Sequence, residues 1–299
     1  MHNKIYTPDE VAALLKISKH TVYELIKRGE LASFKVGKKM RIEERELNRL
    51  KAGKMSAPVK QSQSSQLRLA GSHDFLVESL VQYVSKEDLD ISIQPSYIGS
   101  LEGLMELYKC RCDIAAVHLL DPISKMYNLP FIHQLFVHEK ITVMRLAARE
   151  QGLIAAAGNP QNIEGIKDLE RNDLIFVNRQ KGSGTRFLFD TILSEKKINP
   201  LVINGYEHEE WTHLSAASHI SSGNADATFG IKTAASRLNL DFIPVAVEQF
   251  DLVFKWTQKN ENALQHIMDV LELTSFREHI DALAGYDGSQ FGRITYDSR

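Results

Sequence analysis

The sequence is poor in cysteine and has no long apolar run. Its 299 residues include only two cysteines, Cys110 and Cys112, with a single residue between them. Such close spacing disfavours a structural disulfide, and two ligands do not complete a zinc site. No stretch approaches the roughly 18 uninterrupted apolar residues of a membrane span, and the first residues lack the apolar segment of a signal peptide. We therefore expect a cytoplasmic protein with reduced thiols and no membrane partner.

The motifs of several enzyme classes are also missing. Neither the phosphate loop GxxxxGK[ST] nor the nucleophile elbow GxSxG occurs. His208 and the glutamate after it resemble the start of the zinc motif HExxH, but Thr212 stands where the second histidine is required. Residues 72–74, Ser-His-Asp, are neighbours in sequence and cannot point at one another as a catalytic triad does. We predict no catalytic residues, no metal site and no resident cofactor, and hence no enzyme.

The chain has little net charge, but its charges are unevenly distributed. The formal total is −2, yet residues 1–60 carry 14 Lys/Arg against 7 Asp/Glu, and the remainder carries 22 against 31. A basic head on an acidic body indicates that the head, rather than the whole chain, meets a polyanion.

The head, residues 1–52, has the pattern of a small helical domain with a hairpin. Thr7 is followed by proline and, three positions on, by glutamate, which predicts a capped helix start. Ser18 predicts a second helix over Lys19–Arg28, so a helix-turn-helix results. Ser33–Val36 and Met40–Ile42 alternate around a basic glycine turn and predict a β-hairpin wing.

The whole stretch YTPDEVAALLKISKHTVYELIKRGELASFKVGKKMRIEERELNRL resembles the winged helix-turn-helix of excisionase and MerR-type DNA-binding domains. The resemblance implies DNA binding through the second helix and the wing. A small protein-interaction module with a solvated basic face remains the alternative. The predicted DNA contacts are Lys19, His20, Thr21, Tyr23, Lys27, Lys35, Lys38, Lys39 and Arg41.

A polar, Ser/Gln-rich stretch, 53–66, predicts a linker, and strands and helices alternate from residue 67 to 299. This alternation predicts an α/β body with a mainly parallel sheet, in which ligands sit beyond the carboxyl ends of the strands. Apolar stretches at 141–147 and 242–247 predict two strands crossing between lobes. Lobe 1 would comprise 67–147 and 245–299, lobe 2 would comprise 150–238, and a ligand would bind between them.

Three glycine- and hydroxyl-rich turns follow strands of this body and open helices. The stretch LIFVNRQKGSGTRFLFD (174–190) runs from a strand through such a turn into a helix, and Gly71-Ser72 and Gly99-Ser100 occupy equivalent places. Helix N-termini with hydroxyl donors beside them bind anions. Each turn alone is an ordinary helix cap, whereas three together predict one small-anion site. The predicted ligand contacts are Ser72, Ser100, His118, Tyr127, Arg179, Ser183, Gly184, Thr185, Arg186 and Thr212.

A second resemblance covers roughly 67–299. The stretches REQGLIAAAGNP, FVNRQKGSGTR, NADATFGIKTAA and GYDGSQFGRI, with the turn His118–Asp121, resemble the periplasmic-binding-protein-like domain related to molybdate-binding proteins. This resemblance implies a two-lobed type II α/β body and an oxyanion such as molybdate or tungstate as effector. Residues 227–230, Ala-Thr-Phe-Gly, depart from the smaller, glycine-richer form of that family.

Taken together, the fold class expected is a small α+β winged helix-turn-helix head followed by an α/β two-lobed body. The function expected is that of a one-component transcription regulator that binds DNA, senses a small anion and forms a homodimer or higher homo-oligomer. A sensor of a small organic ligand, and an accessory protein or enzyme of molybdenum-cofactor metabolism, remain alternatives.

Overall fold

The computed structural model describes residues 5–27, 31–36, 39–51, 65–87 and 91–299. The chain divides into two compact units, Met1–Gln63 and Ser64–Arg299. Most of the predicted linker lies outside the described residues, but residues 65–66 belong to the first strand of the second unit.

The first unit contains a three-stranded antiparallel sheet and three helices. In chain order these are β1 (Ile5–Tyr6), α1 (Pro8–Leu15), α2 (Lys19–Lys27), β2 (Phe34–Val36), β3 (Lys39–Glu43) and α3 (Glu44–Lys51). The sheet order is β1-β3-β2, so β2 and β3 form the predicted hairpin. Arg28, Gly29, Gly37 and Lys38, which entered the predictions for the second helix and the wing, lie outside the described residues.

The start of α1 follows the predicted capping pattern. The Thr7 hydroxyl accepts a hydrogen bond from the Glu10 amide at 3.3 Å, and the Thr7 amide donates to the Glu10 carboxylate at 2.6 Å. This reciprocal arrangement satisfies two otherwise unpaired donors at the helix start. Val11, Val22 and Ile42 are fully buried and join the helices to the hairpin in one small core.

The second unit contains one ten-stranded sheet with helices packed around it. Its elements are β4 (Ser65–Gly71), α4 (Phe75–Glu87), β5 (Ile91–Tyr97), α5 (Ser100–Tyr108), β6 (Ile114–Val117), α6 (Leu129–Leu135), β7 (Ile141–Ala155), β8 (Phe176–Arg179), α7 (Gly184–Glu195), β9 (Glu209–Glu210), α8 (His213–Ser221), β10 (Ala227–Ile231), α9 (Lys232–Arg237), β11 (Asp241–Lys255), α10 (Glu261–Leu271), α11 (Thr274–Asp281), β12 (Tyr286–Asp287) and β13 (Ile294–Asp297). Short 3₁₀ turns occur at Ile166–Glu170 and Pro200–Val202.

The sheet is mixed, which corrects the expectation of a mainly parallel one. Its order is β5-β4-β6-β11-β7-β10-β8-β9, with β12 and β13 also pairing with β7. Strands β4, β5 and β6 are parallel, as are β8, β9 and β10, but β11 pairs antiparallel with β6 and β7, and β7 with β10. The reason lies in β7 and β11, which carry the chain out from the first parallel group to the second and back again.

Among the described residues, five clusters of buried apolar side chains pack around the long strands, and the two largest lie in different halves of this unit. The first lies around β4, β6 and α10 and includes the fully buried Leu76, Phe254 and Leu264. In the second core the ring of Phe189 stacks between those of Phe176 and Phe229, at centroid distances of 5.0 and 5.2 Å. The two parallel groups of strands pack against different clusters and are joined through β7 and β11.

Cys110 is exposed and Cys112 is buried, and both are free thiols. Among the described residues, no helix has the length and apolar character needed to cross a membrane.

Candidate ligand-binding site

The turns after β4, β5 and β6 bring two hydroxyls and an imidazole together. The Ser72 and Ser100 hydroxyl oxygens lie 2.8 Å apart, and His118 Nε2 lies 3.0 Å from Ser72 Oγ. The His118 amide donates to Ser100 Oγ at 3.2 Å. Gly71 makes this approach possible, because it has a φ of +136° and a Cβ there would lie 2.2 Å from the Ala116 carbonyl oxygen.

The two long strands place an ion pair beside these groups. Arg149 on β7 and Glu248 on β11 are opposite each other in register, and both are fully buried. The Arg149 guanidinium donates to the carboxylates of Glu248 and Asp74, and Tyr286 also donates to Asp74. Although burial alone would raise the pKa of Glu248, the charge of Arg149 and hydrogen bonds from His118 and Gln151 lower it to about 2. Glu248 is therefore an anion at neutral pH.

His118 joins the hydroxyl pair to the ion pair. Its Nδ1 lies 2.7 Å from Glu248 Oε2, while its Nε2 faces Ser72. Burial lowers the pKa of His118, and Arg149 lowers it further against the opposing effect of Glu248. The imidazole is therefore neutral at neutral pH. Because the Glu248 carboxylate can only accept a hydrogen bond, Nδ1 carries the proton of the neutral ring and donates to it. Nε2 is then the acceptor, and the Ser72 hydroxyl donates to Nε2.

Arg179, at the end of β8, is a buried cation held without a carboxylate. It is 3% exposed, its Nε donates to the Glu210 carbonyl at 3.1 Å, and its Nη2 donates to the Trp211 carbonyl at 2.8 Å. Burial, followed by the charge of Arg149, lowers the pKa of Arg179 to about 9, so it stays charged at neutral pH. Within the described part of the chain it forms no ion pair, and its Nη1 has no hydrogen-bond partner.

Other polar atoms near Arg179 are also unpaired. His213 is 2% exposed, and burial together with the charges of Arg179 and Arg149 lowers its pKa well below the ordinary value. Among the described residues, His213 Nδ1, Gln151 Oε1 and Arg149 Nε are buried without a hydrogen-bond partner. Each such atom costs about 1–3 kcal/mol unless something pairs with it. A concentration of them in one place is typical of a ligand site.

The turn that opens α7 packs directly against this cluster. A Cβ at Gly184 would lie 2.4 Å from the His118 carbonyl oxygen and 2.5 Å from its Nδ1. The Leu101 amide, in the first turn of α5, donates to the Gly182 carbonyl at 3.1 Å. The Thr185 hydroxyl accepts a hydrogen bond from Gln151 Nε2 at 3.3 Å. The two halves of the sheet are thus in contact around the polar cluster.

Two of the predicted ligand contacts act as helix caps. The Ser183 hydroxyl donates to the Gln180 carbonyl at 2.9 Å and accepts from the Arg186 amide at 3.2 Å, which caps α7. The Thr212 hydroxyl accepts from the Ser215 amide at 3.0 Å and caps α8. Their hydroxyls are engaged with the backbone rather than with the polar cluster.

Arg186 and Tyr127 also have other partners. The Arg186 guanidinium donates to Asp190 at 3.0 Å and to Glu209 at 2.9 Å, and it lies 4.3 Å from the centre of the Tyr206 ring. Its charge is already offset, unlike that of Arg179. Tyr127 is half-buried and packs against the core of the second half. The structure therefore brings together Ser72, Ser100, His118, Arg179, Gly184 and Thr185 from the predicted set.

Comparison with known proteins gives the family. The sequence profile of the PBP superfamily domain matches residues 81–272, and that of a helix-turn-helix domain matches residues 5–55. The chain belongs to the PBP superfamily. It is 36% identical to the uncharacterized protein YvgK of Bacillus subtilis (strain 168), over 98% of both chains.

Solved structures show the same fold for the body of this PBP-superfamily protein. It resembles a putative phosphate ABC transporter substrate-binding protein from Clostridium perfringens, with a TM-score of 0.55, 14% identity, and 79% and 100% of the two chains covered. It also resembles the tungstate ABC transporter from Geobacter sulfurreducens, with a TM-score of 0.53, 11% identity, and 73% and 98% covered. A helix-turn-helix domain joined to a PBP-like domain is the architecture of a transcription regulator with an effector-binding domain.

Five residues of the polar cluster in this PBP-like body were not predicted from the sequence. The missed residues are Asp74, Arg149, Gln151, Glu248 and Tyr286. A pattern that could have revealed several of them is a charged or amide side chain inside an otherwise apolar strand, as in ITVMRLAAREQGLIA of β7. Such side chains are rarely buried unless they are paired or functional.

The helix-turn-helix unit presents several of its predicted DNA contacts to solvent. Lys19, His20, Tyr23 and Lys27 on α2 are exposed, as is Lys39 on β3. Three predicted contacts have partners within the unit. Lys19 pairs with Asp9 at 2.9 Å, the Thr21 hydroxyl lies 2.8 Å from that of Ser18, and Arg41 donates to the Met40 carbonyl. Lys38 and the side chain of Lys35 lie outside the described residues.

Proposed function

We propose that this protein is a cytoplasmic one-component transcription regulator whose body binds a small oxyanion of the molybdate or tungstate type. The helix-turn-helix unit would hold an operator, and the effector would change DNA affinity through its different affinities for two states of the chain. Winged heads commonly occupy paired half-sites, so we also propose that a homodimer or higher homo-oligomer is the DNA-binding form.

The observation that carries the oxyanion proposal is Arg179. A buried guanidinium without a carboxylate is costly, and an entering anion offsets that cost. Arg149 is also a buried cation, but its charge is already neutralised by Asp74 and Glu248, so it does not by itself require an anionic ligand. The hydroxyl groups of Ser72, Ser100 and Thr185 surround the same region, and the Ser72 hydroxyl becomes a donor for an oxyanion once His118 is protonated.

Isothermal titration of the full chain tests this proposal. Molybdate, tungstate, phosphate and sulfate are titrated singly into the wild-type protein and into Arg179→Gln. We expect one anion to bind with one-to-one stoichiometry and Arg179→Gln to weaken it on the order of 10- to 100-fold, since a charged hydrogen bond contributes about 1.5–3 kcal/mol. Lys181→Ala, which removes an exposed cation two positions away, is the matched control and should bind normally.

The same titration separates the oxyanion from an organic effector. Gln151 Oε1 is a buried acceptor without a partner among the described residues, which favours a ligand that carries a hydroxyl group besides an anionic group. Small hydroxy acids form the second panel. Heat with a hydroxy acid and none with any oxyanion would replace the molybdate-type effector with an organic one.

The order Ser72, His118, Glu248 also matches the hydroxyl, imidazole and carboxylate of hydrolases. The Ser72 amide, however, already donates to the Ala116 carbonyl at 2.9 Å, and the Leu101 amide donates to Gly182, so neither is available to stabilise an oxyanion intermediate. Turnover of an activated ester, abolished in Ser72→Ala, would support an enzyme in place of an effector domain.

A further inference from the structure

A second polar cluster is formed by side chains at β9 and α8, next to the backbone that holds Arg179. One ligand atom each of His208, Glu210 and His219 lies within 4.8 Å of the other two. His208 directly precedes β9, and Glu210 is the second residue of that strand. Ser215 and His219 are four residues apart on α8 and face that strand together.

The contacts within this cluster hold a carboxylate between two imidazoles. Glu210 accepts hydrogen bonds from the Ser215 hydroxyl and from His219 Nε2, the latter at 2.8 Å. The imidazole of His208 meets that of His219 edge to face, with centroids 5.1 Å apart. These contacts orient the Glu210 carboxylate between the two imidazoles, as a shared metal ion requires.

We propose that His208, Glu210 and His219 bind a divalent transition-metal ion, with zinc as the best match. Two imidazoles and one carboxylate form a common zinc ligand set that leaves a fourth position for water. Zn–N bonds of about 2.0–2.1 Å place the ligands of a tetrahedral site roughly 3.4 Å apart. The side chain of His208 is exposed and those of Glu210 and His219 are half-buried, so small rotations bring all three to that spacing.

The position of the cluster gives the metal a mechanical role. The Glu210 carbonyl accepts from Arg179 Nε at 3.1 Å and from the Gln180 amide at 3.1 Å, so this residue supports the end of β8. A metal ion joining the Glu210 side chain to α8 fixes the same residue from its other side. A metal ion in the proposed site would therefore link β9 to α8. The proposal does not depend on whether Arg179 binds an anion.

Zinc titration of the untagged full chain, stripped with a chelator, tests the site. We expect one zinc ion per chain with micromolar or tighter affinity, and a higher melting temperature with zinc than without it. His219→Ala and Glu210→Gln should each weaken zinc binding at least about tenfold and abolish the thermal effect. His138→Ala removes an exposed histidine outside the cluster and should leave both unchanged.

Cobalt(II) supplies a readout that does not depend on stability. A tetrahedral site with histidine ligands gives visible absorption on cobalt binding, and that band should be absent in His219→Ala. Melting curves without metal show whether each variant folds, and His208→Ala, at an exposed position, replaces any variant that does not. Absence of one-to-one binding in the wild type, or equal affinity in wild type and all cluster variants, would overturn the site.

Discussion

His118 lies between the Glu248 carboxylate, 2.7 Å from its Nδ1, and the Ser72 hydroxyl, 3.0 Å from its Nε2. While the imidazole is neutral, the Ser72 hydroxyl donates its hydrogen bond to His118 Nε2 and cannot donate to a ligand. If His118 gains a proton, Nε2 becomes a donor, and Ser72 is freed to donate its own proton to an anion. A proton and an anion should therefore enter this site together.

The first prediction is that anion affinity rises as pH falls. Burial lowers the pKa of His118 in the structure, and a bound anion raises it, so binding takes up a proton between those two pKa values. Affinity should increase by up to about tenfold per pH unit as the pH falls toward the lowered pKa of His118. Titration of the tightest-binding oxyanion in buffers of different ionisation enthalpy measures the proton uptake directly.

The matched variant for this prediction is His118→Gln, whose amide can still donate to Glu248 but does not titrate. Its affinity should be flat with pH once the titration of the anion itself is subtracted. His213→Gln separates the second buried histidine, whose pKa is also lowered. A wild-type affinity that does not change with pH would show that Ser72 donates to the ligand without help from His118.

The second prediction concerns stability in acid. The pKa of Glu248 in the folded chain is about 2, below the ordinary 4.5, so its contribution is complete above pH 4.5 and is lost as pH falls toward 2. The shift corresponds to a free energy of unfolding on the order of 3 kcal/mol. Glu248→Gln should therefore unfold more easily than wild type at neutral pH, and the difference should shrink below about pH 4.

Urea unfolding followed by tryptophan fluorescence measures this difference, because both tryptophans, Trp211 and Trp256, belong to the second unit. Glu164→Gln, at an exposed carboxylate, is the control and should change stability by less than about 0.5 kcal/mol. Equal acid sensitivity of wild type and Glu248→Gln would assign the acid dependence to other carboxylates.

The third prediction tests the packing of α7 on the cluster. Gly184→Ala places a methyl group 2.4 Å from the His118 carbonyl oxygen, so the first turn of α7 must move away. We expect a loss of about 1–3 kcal/mol in the free energy of unfolding and weaker anion binding. Gly165→Ala is the control, because nothing lies within 4 Å of a Cβ there. If both alanine variants bind anion like wild type, the contact between Gly184 and His118 does not shape the site.

The sequence predicted the hydroxyl-bearing turns that follow strands, but it missed the charged and amide side chains inside the long strands β7 and β11 and also Asp74, in the same turn as Ser72. Ser72, Ser100 and Thr185 stand in glycine-hydroxyl turns, a local pattern that can be found without knowing the fold. Arg149 and Glu248 become neighbours only through the register of β7 and β11, nearly one hundred residues apart in sequence. No local pattern encodes that register, so this ion pair had to come from the structure.

The antiparallel centre of the sheet was missed for the same reason, since it also depends on contacts between strands that are far apart in sequence. Alternating strands and helices predict parallel pairing within each half, and both parallel groups are present. The antiparallel centre depends on where two long strands lie relative to those groups. Ser183 and Thr212 show a second limit of sequence-based prediction. A hydroxyl that caps a helix and a hydroxyl that binds a ligand have the same sequence pattern, so the sequence cannot tell them apart.

The fourth prediction concerns the helix-turn-helix unit and DNA. Lys27 is exposed in the last turn of α2, whereas Lys19 on the same helix is held by Asp9. Each lysine that neutralises a phosphate steepens the salt dependence of binding by about one unit of log K against log salt. Lys27→Ala should therefore weaken binding to a random-sequence duplex and lower that slope by about one, as measured by fluorescence anisotropy at several salt concentrations.

Lys259→Ala, at an exposed position of the second unit, should leave the slope unchanged. Because the charge excess of the chain lies in residues 1–60, a slope altered by Lys259→Ala but not by Lys27→Ala would place the DNA contact on the body instead.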